Sequence, residues 1–482
     1  MRVSEYYDLG VTQPSLEFVD VDIVRDAQVF VDPHAFNAIA SDWARECVSL
    51  LQDFYGEVLA AVRAGDRARG MYLLERLGES NEAHLGLSSA QSRGSGVATG
   101  LAADIYDALG MSTAVVSGIL SEVHETVLFV AGVGHDRVSD MTINIIRRQL
   151  IKFTQEVCRL YDIEMVPGLD SGWMWDRQSQ SWVADRVELP MPNGKLLLVP
   201  IAVVRKSPTF DPGDYLSHYV LPHLQEVHLS SAHSRLVRTR TSRRLRGERF
   251  VTKKSILEDD PKSRKEWNNE VTDQKPELLE RYRQAKAGES EPPGHDEVAT
   301  NMGTPPPDWE ALLAAVLDVP SGRDHADDYH RAVQRLLNAL FYPWLDMPKR
   351  ESQIHGGRKR IDIVYVNLAQ HGFFQWLGAA GGVSAGQVVI ECKNYTNALK
   401  NEEFDQLTGR FSPFRGQFGF LCYRGSADDK STVIQRCRDA ALDQRGFVIA
   451  LDDGDLATLV AARREEGPQI FDYLLGRFRE LI

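Results

Sequence analysis

The sequence lacks the features that mark several large protein classes. Its five cysteines are scattered, with no CxxC pair and no Cys/His spacing typical of a zinc site. This pattern argues against structural disulfides and structural zinc and predicts a cytoplasmic protein. The most apolar stretch, Thr113–Gly134, is interrupted by Glu122, His124 and Glu125, so no membrane span is expected. The N-terminus has no apolar segment of the kind found in secretory signals.

Nucleotide-binding loops and excess positive charge are also missing. Gly94-Ser95-Gly96 is not followed by the GK[ST] ending of a P-loop, and no complete GxGxxG follows a predicted strand. The net charge of −13 argues against a general polyanion-binding protein. Any contact with nucleic acid is therefore expected from local basic patches.

What the chain does contain is the composition of a globular protein with two or three domains. It has 482 residues, of which 43% are hydrophobic and 26% charged. We predict an N-terminal mixed α/β domain over residues 1–230, with short strands in Asp20–Val31 and a buried strand at Lys195–Val204. Residues 231–307 are predicted to be a basic, charged linker region, and residues 308–482 a second domain.

The linker region holds the most basic segment of the chain. Arg235–Lys254 contains nine Lys or Arg residues and one acid, Glu248. Its charge suits contacts with a nucleic-acid backbone, for which Arg243, Arg244 and Arg246 are candidates. A flexible linker would explain the same composition equally well.

The C-terminal domain shows a helix, two strands and then alternating helices and strands. The helix is predicted at Ala326–Phe341, and the two strands at Arg360–Val366 and Gln387–Cys392. This order predicts an α/β fold in which a mixed sheet is flanked by helices.

The candidate chemistry lies at the end of the second of these strands. Glu391-Cys392-Lys393 follows the apolar run Val388–Ile390, whereas the three other acid-x-Lys triplets of the chain lie in polar segments. The preceding strand carries an acid, Asp362, among apolar residues. Because side chains alternate along a strand, Glu391 and Lys393 project from one side, and pairing of the strands brings Asp362 to it.

Two carboxylates beside an ammonium group are costly near a core unless they have a function. Mg²⁺ is bound in proteins by one or two carboxylates together with substrate phosphate. In such a site Lys393 would orient the attacking water or neutralise charge on the phosphoryl group. The structural alternative is a surface ion pair between Glu391 and Lys393, which contributes little to the stability of the fold.

The segments RKRIDIVYVN (358–367) and QVVIECKNYTN (387–397) resemble the PD-(D/E)XK, or restriction-endonuclease-like, nuclease superfamily. The resemblance covers about residues 326–451, and ECKNY has the form found in bacterial restriction and anti-phage defence nucleases. It implies a restriction-endonuclease-like fold for the C-terminal domain. It also implies a DNA-cutting activity that depends on Mg²⁺, for which Mn²⁺ is expected to substitute.

The resemblance also assigns roles to single residues. Asp362 and Glu391 correspond to metal ligands, with the backbone carbonyl of Cys392 as a further ligand. Lys393 corresponds to the catalytic lysine. Gln406 occupies the place of a glutamine that many relatives carry on the following helix, although an ordinary exposed residue is almost as good an interpretation.

The chain departs from the family pattern at two points. Many relatives have a glutamate on the preceding helix, whereas this sequence has His330 there, with Asp327 and Asp328 nearby. We interpret His330 as a surface or packing residue, which leaves the third acid of the site open. The interval between Asp362 and Glu391 is also long, so residues 367–386 are predicted to be an insertion.

Basic residues flank the predicted site and are candidates for phosphate contacts, although each alone is more often a solvated charge. They are Lys349, Arg350, Arg358, Lys359 and Arg360.

The leading functional hypothesis is an endonuclease that cuts double-stranded DNA in restriction or anti-phage defence. Cutting both strands needs two sites, so a homodimer is expected, and the N-terminal domain would respond to an activator or partner. A nuclease-like module that binds nucleic acid without cutting it, and an RNase, are the alternatives.

Overall fold

The computed structural model describes residues 1–86, 95–240, 247–289, 291–354, 359–425, 429–465 and 469–482. The described residues form helices and strands around two large hydrophobic cores. The first core extends from Val3 to Val298, with four further residues from the C-terminal part, and the second extends from Val316 to Leu481. The predicted α/β class is confirmed. None of the described helices combines the length and the apolar character that crossing a membrane requires.

Helices build most of the first core. The long helix α2 (Asp42–Ala64) is capped at its N-terminus by Ser41, whose side chain accepts a hydrogen bond from the Ala44 N–H. At its C-terminus it is followed by Gly65 in the left-handed conformation. The helices of this part are α1 (Val3–Tyr6), α2 (Asp42–Ala64), α3 (Arg67–Leu74), α4 (Ser95–Met111), α5 (Thr113–Val116), α6 (Thr126–Phe129), α7 (His135–Ile145), α8 (Arg147–Leu160), α9 (Pro212–Tyr215) and α10 (Leu221–Ser230).

The strands of this part are short and form two-stranded pairs. They are β1 (Phe30–Val31), β2 (Val166–Asp170), β3 (Met174–Asp176), β4 (Ser181–Val183), β5 (Arg186–Leu189), β6 (Val204–Arg205), β7 (Arg238–Thr239) and β8 (Arg249–Phe250).

The predicted strand at Lys195–Val204 is wrong for most of its length. Its residues from Leu196 onwards are buried, but only its last residue belongs to a strand, β6, which pairs with β1. The Leu197 N–H donates to the Glu82 carbonyl, and the Leu198 N–H donates to the Thr154 hydroxyl. The backbone groups are thus satisfied one by one by other elements, so burial here does not require a sheet.

The segment predicted as a basic, charged linker region, 231–307, differs from a linker because it packs into the first core. It contains the helices α11 (Lys253–Asp259), α12 (Arg264–Gln274), α13 (Glu277–Lys286) and α14 (His295–Met302). Their apolar residues, among them Ile256, Trp267 and Tyr282, belong to the first core. Apolar residues at helical spacing therefore outweigh the charged composition that suggested a linker.

The C-terminal part is a mixed sheet flanked by helices, as predicted. Its strands are β9 (Leu345–Ile354), β10 (Lys359–Asn367), β11 (Gln387–Lys393), β12 (Phe418–Tyr423) and β13 (Phe447–Leu451). Its helices are α15 (Trp309–Leu317), α16 (Ala326–Phe341), α17 (Gly372–Ala379), α18 (Asn401–Thr408), α19 (Lys430–Leu442), α20 (Asp453–Arg464) and α21 (Gln469–Arg479).

The order of strands in this sheet is β13-β12-β11-β10-β9. β10 is antiparallel to both β9 and β11, whereas β12 is parallel to β11 and β13. The edge strand β9 was not predicted, and helix α17 occupies part of the predicted insertion between β10 and β11. This arrangement places β10 and β11, which carry the predicted site, in the interior of the sheet.

Two buried carboxyl groups lie where the two cores meet. Glu17 accepts a hydrogen bond from the Tyr161 hydroxyl at 2.8 Å, and burial raises its pKa to about 7. Burial, with a smaller contribution from the charge of Glu17, raises the pKa of Asp346 to about 8. Both groups are therefore protonated in the folded protein at pH values where they are ionised in the unfolded chain.

This difference predicts that the protein loses stability as the pH rises. The contribution of neutral Glu17 to the free energy of unfolding is complete below about pH 4.5 and is lost by about pH 7. The loss amounts to roughly 3 kcal/mol. Glu17→Gln, whose amide oxygen still accepts from Tyr161, should therefore raise the melting temperature at pH 8 and have little effect at pH 4.5. The exposed Glu402→Gln is the control. An equal effect of Glu17→Gln at both pH values would contradict the prediction.

Candidate active site

The register of β10 and β11 brings the two predicted acids opposite each other. Ile363 pairs with Ile390 as the last pair of this antiparallel register, so Asp362 and Glu391 are the next residues along the two strands. Beyond the last paired residues, Asp362 Oδ2 accepts a hydrogen bond from the backbone N–H of Cys392 at 2.9 Å. The carboxylate of β10 is therefore held directly against the Glu391-Cys392-Lys393 segment.

His330 joins this group from α16. Its Nε2 lies 3.1 Å from the carbonyl oxygen of Cys392 and 3.9 Å from Asp362 Oδ2. The side chains of His330 and Asp362 are 20% and 21% exposed, so solvent and ions reach both. We interpreted His330 from the sequence as a surface or packing residue, whereas the structure places it beside the predicted carbonyl ligand.

Glu391 is fully buried and held by three side chains from the same part of the fold. Lys393 Nζ lies 3.4 Å from Glu391 Oε2, and it also donates a hydrogen bond to Gln406 Oε1 at 3.1 Å. Gln406 Nε2 donates to Glu391 Oε2 at 3.0 Å, and Arg410 Nε lies 3.4 Å from Glu391 Oε1. Lys393, Gln406 and Arg410 thus surround one carboxylate.

The electrostatics of Glu391 differ from those of an exposed acid. Burial, and after it the negative charge of Asp362, raises the pKa of Glu391 to about 7, although Lys393 and Arg410 act in the opposite direction. A like charge nearby in a poorly solvated place opposes the ionisation of a carboxyl group. A bound cation would relieve this repulsion.

Local interactions fix the elements that carry these residues. The Asn394 side-chain amide donates to the carbonyls of Pro320 and Gly322, which ties the end of β11 to the loop before α16. Phe404 and Leu407 of α18 are buried in the second core. Gln406, next to Leu407, is partly buried and reaches Glu391 of β11.

The donor groups of this cluster fit a divalent cation. Asp362, Glu391 and the carbonyl of Cys392 offer the oxygen ligands that Mg²⁺ prefers, and the His330 imidazole is a ligand type better suited to Mn²⁺ and later transition metals. An imidazole nitrogen of His330, a carboxylate oxygen of Asp362 and the Sγ atom of Cys392 lie within 4.8 Å of one another, and Glu391 is not part of this group. A hydrogen bond with Cys422 and burial hold the pKa of the Cys392 thiol well above its usual value. The carbonyl of Cys392 is therefore the better ligand of that residue.

The candidate phosphate-binding residues are described only in part. Arg360 is exposed and pairs with Glu351 at 3.1 Å. Arg243, Arg244, Arg246 and Arg358 lie outside the described residues, as does the side chain of Lys359. Contacts of these residues with nucleic acid stay predictions.

Sequence reasoning did not assign a role to Arg410. It follows Gln406 by four residues, just beyond the end of α18, and both side chains reach Glu391. Helical i, i+4 spacing was the signal that would have found it.

The comparisons with known proteins concern another part of the chain. Residues 8–211 match a family model described as a domain of unknown function (DUF8370). No curated protein and no solved structure matches the chain. The matched residues end before α16, so the match carries no information about the candidate active site.

Proposed function

We propose that this protein is a metal-dependent endonuclease that hydrolyses phosphodiester bonds of DNA. The observation that supports the proposal best is the meeting of Asp362, Glu391 and Lys393 at the adjoining ends of β10 and β11. A shared site with a raised carboxyl pKa is typical of functional clusters. DNA is proposed over RNA because the sequence resembles DNA-cutting nucleases.

Each side chain has a task in such a reaction. Asp362, Glu391 and the carbonyl of Cys392 would hold the metal, with His330 as a further ligand. A bound Mg²⁺ or Mn²⁺ supplies charge stabilisation and lowers the pKa of its water. Lys393, whose ammonium already bridges Glu391 and Gln406, would stabilise the negative charge that develops on the phosphoryl oxygens.

Gln406 and Arg410 would act on Glu391. Their hydrogen bonds restrain both carboxylate oxygens, so the acid is oriented before a metal or substrate binds. A purely structural network would need the same contacts around Glu391. It would not need Asp362, which adds a like charge and raises the pKa of its neighbour.

The biological setting and the assembly are proposed from the resemblance alone. A role in restriction or anti-phage defence, an activating partner and a homodimer that cuts both strands are its implications.

Cleavage assays test the proposal. The purified full chain is incubated with supercoiled plasmid and, separately, with RNA, in Mg²⁺, in Mn²⁺ and in EDTA. We expect nicked and linear plasmid with metal and intact plasmid with EDTA. Cleavage that persists in EDTA would refute a metal site, and cleavage of RNA alone would favour an RNase. Binding of DNA without cleavage in either metal would favour the inactive binding module.

A further inference from the structure

A cleft of about 930 Å³ lies where the two cores face each other. Phe153, Val157 and Leu160 of α8 line one wall, and residues 347–352 of β9 line the other. α16 contributes Asp327 and Arg331. The volume is within the range found for sites that bind small molecules or short segments of larger ones.

The cleft adjoins the candidate active site through two elements. Asp327 and Arg331 flank His330 on α16, at positions three residues before it and one after it. On the sheet, Glu351 of the cleft pairs with Arg360, which lies two residues before Asp362 on β10. The cleft therefore lies close to the candidate site along α16 and along the β9–β10 pair.

The basic side chains of the cleft are accessible. Arg331 is 49% exposed and lies 3.6 Å from Asp162, and Lys349 is exposed and lies 4.0 Å from Glu156. Arg331 and Arg350 also line a smaller neighbouring cavity of about 50 Å³, so both border two adjoining spaces. Such weak surface pairs exchange readily for contacts with phosphate.

Acidic side chains also line the cleft, and they limit what it would bind. Glu351 is paired with Arg360 at 3.1 Å, and Glu17 is buried and hydrogen-bonded to Tyr161. Glu156 and Asp327 remain close to the basic side chains. Because acidic and basic side chains are mixed in the cleft, a ligand held by charge alone would bind weakly. Tight binding would also need the burial of apolar surface.

The apolar surface of the cleft is partly aromatic. Trp43 is partly exposed and packs against the buried Phe153, with ring centroids 6.2 Å apart and an interplanar angle of 51°. The Trp43 indole N–H donates to the carbonyl of Gln149 at 3.1 Å. Unpaired bases stack on aromatic side chains whatever their identity. The bases of a duplex are stacked on one another and offer their faces to no such surface, so the cleft suits a single strand better than a double helix.

We infer that this cleft binds a single-stranded arm of the DNA that enters the active site. The phosphates would contact Arg331 and Arg350, and a base would stack on Trp43. The inference rests on the proposed function for its substrate, and it gives α8, a helix of the first core, a direct part in substrate binding. DNA with an overhang, a flap or an unwound segment would then be the preferred substrate.

Binding measured without cleavage tests the inference. Fluorescence anisotropy of a labelled 12-nucleotide strand, and of the matching duplex, is recorded with the full-length protein in EDTA over a range of salt concentrations. The test variant is Arg331→Ala/Arg350→Ala, and the control is Arg464→Ala/Arg479→Ala. Arg464 is 55% exposed and ion-paired, much like Arg331. Thermal melting verifies that both variants are folded.

We expect the test variant to bind the single strand about tenfold more weakly. Two lost phosphate contacts should also lower the salt slope of log K by about 1.4. The control should match the unmodified protein, and Trp43→Leu should weaken binding of the single strand with an unchanged salt slope. Equal losses in test and control variants, or stronger binding of the duplex, would overturn the inference.

The binding measurement and the cleavage assay can fail independently of each other. Plasmid cleavage combined with unchanged strand binding in the test variant would leave the nuclease assignment intact and remove the cleft from it. Strand binding that depends on Arg331 and Arg350, without cleavage in either metal, would support the cleft and favour the inactive binding module over the nuclease.

Discussion

Lys393→Ala should reduce metal-dependent plasmid cleavage by at least about a hundredfold. The ammonium group is 3.4 Å from Glu391 and 3.1 Å from Gln406, so it lies within the predicted site. Loss of one preorganised charge that stabilises a transition state costs about 10²–10³ in rate. The initial rate of nicking in Mg²⁺ and in Mn²⁺ is the measurement, and the exposed Lys152→Ala is the matched control.

Asp362→Asn distinguishes a role of Asp362 in binding a cation from a role in holding β10 against β11. The amide oxygen of Asn can accept the Cys392 N–H as Asp362 Oδ2 does, so the strand ends should stay joined. The charge that would hold a cation is lost, and we expect cleavage to fall to the level seen with EDTA while the melting temperature changes little. Full activity of either Asp362→Asn or Lys393→Ala would show that the reaction takes place elsewhere.

The structure of the C-terminal part could largely be predicted from its pattern of apolar residues. The bounds of α16 agree with the sequence-based expectation, and those of β10 and β11 agree to within one residue at each end, because each has either a clear helical period or an apolar run. The edge strand β9 was missed, since its segment DMPKRESQ is mostly polar and contains Pro348. Edge strands tolerate polar residues and proline, so the sequence carries little signal there.

The elements around the first core were harder to predict, because many of their backbone N–H and C=O groups form hydrogen bonds with partners outside regular strands. Leu196–Val199 has the composition of a buried strand, yet its N–H groups bond to a loop carbonyl and a threonine hydroxyl. Composition records burial, but it does not record which partner satisfies each backbone group. The same limit applies to 253–302, where charge dominates the sequence but a few apolar residues determine the packing.

Strand alternation and register predicted the part of the candidate site that lies on β10 and β11. Alternation placed Glu391 and Lys393 together, and pairing of the strands brought Asp362 opposite them. The contribution of α16 depends on how the helix lies against the sheet, which no local pattern reveals. His330 was therefore undervalued, and its place beside the Cys392 carbonyl came from tertiary packing.

That position of His330 leads to a prediction about the choice of metal. An imidazole nitrogen is a better ligand for Mn²⁺ than for Mg²⁺, which prefers oxygen donors. The protein should therefore cleave DNA faster with Mn²⁺ than with Mg²⁺ at equal concentrations. His330→Ala should lower the activity with Mn²⁺ about 10- to 100-fold, the usual cost of removing a group that supports a metal site.

His330→Glu is the decisive variant because it exchanges nitrogen for oxygen at one position. Its carboxylate would lie near Asp362, since His330 Nε2 is 3.9 Å from Asp362 Oδ2, and the added charge should shift the preference towards Mg²⁺. Calorimetric titration with each metal measures the shift without relying on cleavage, and the exposed His325→Glu on the turn before α16 is the control. A His330→Glu protein with an unchanged ratio of Mn²⁺ to Mg²⁺ affinity would show that His330 packs against β11 without contacting the metal. In that case Asp362, Glu391 and the Cys392 carbonyl would have to bind the cation without help from α16.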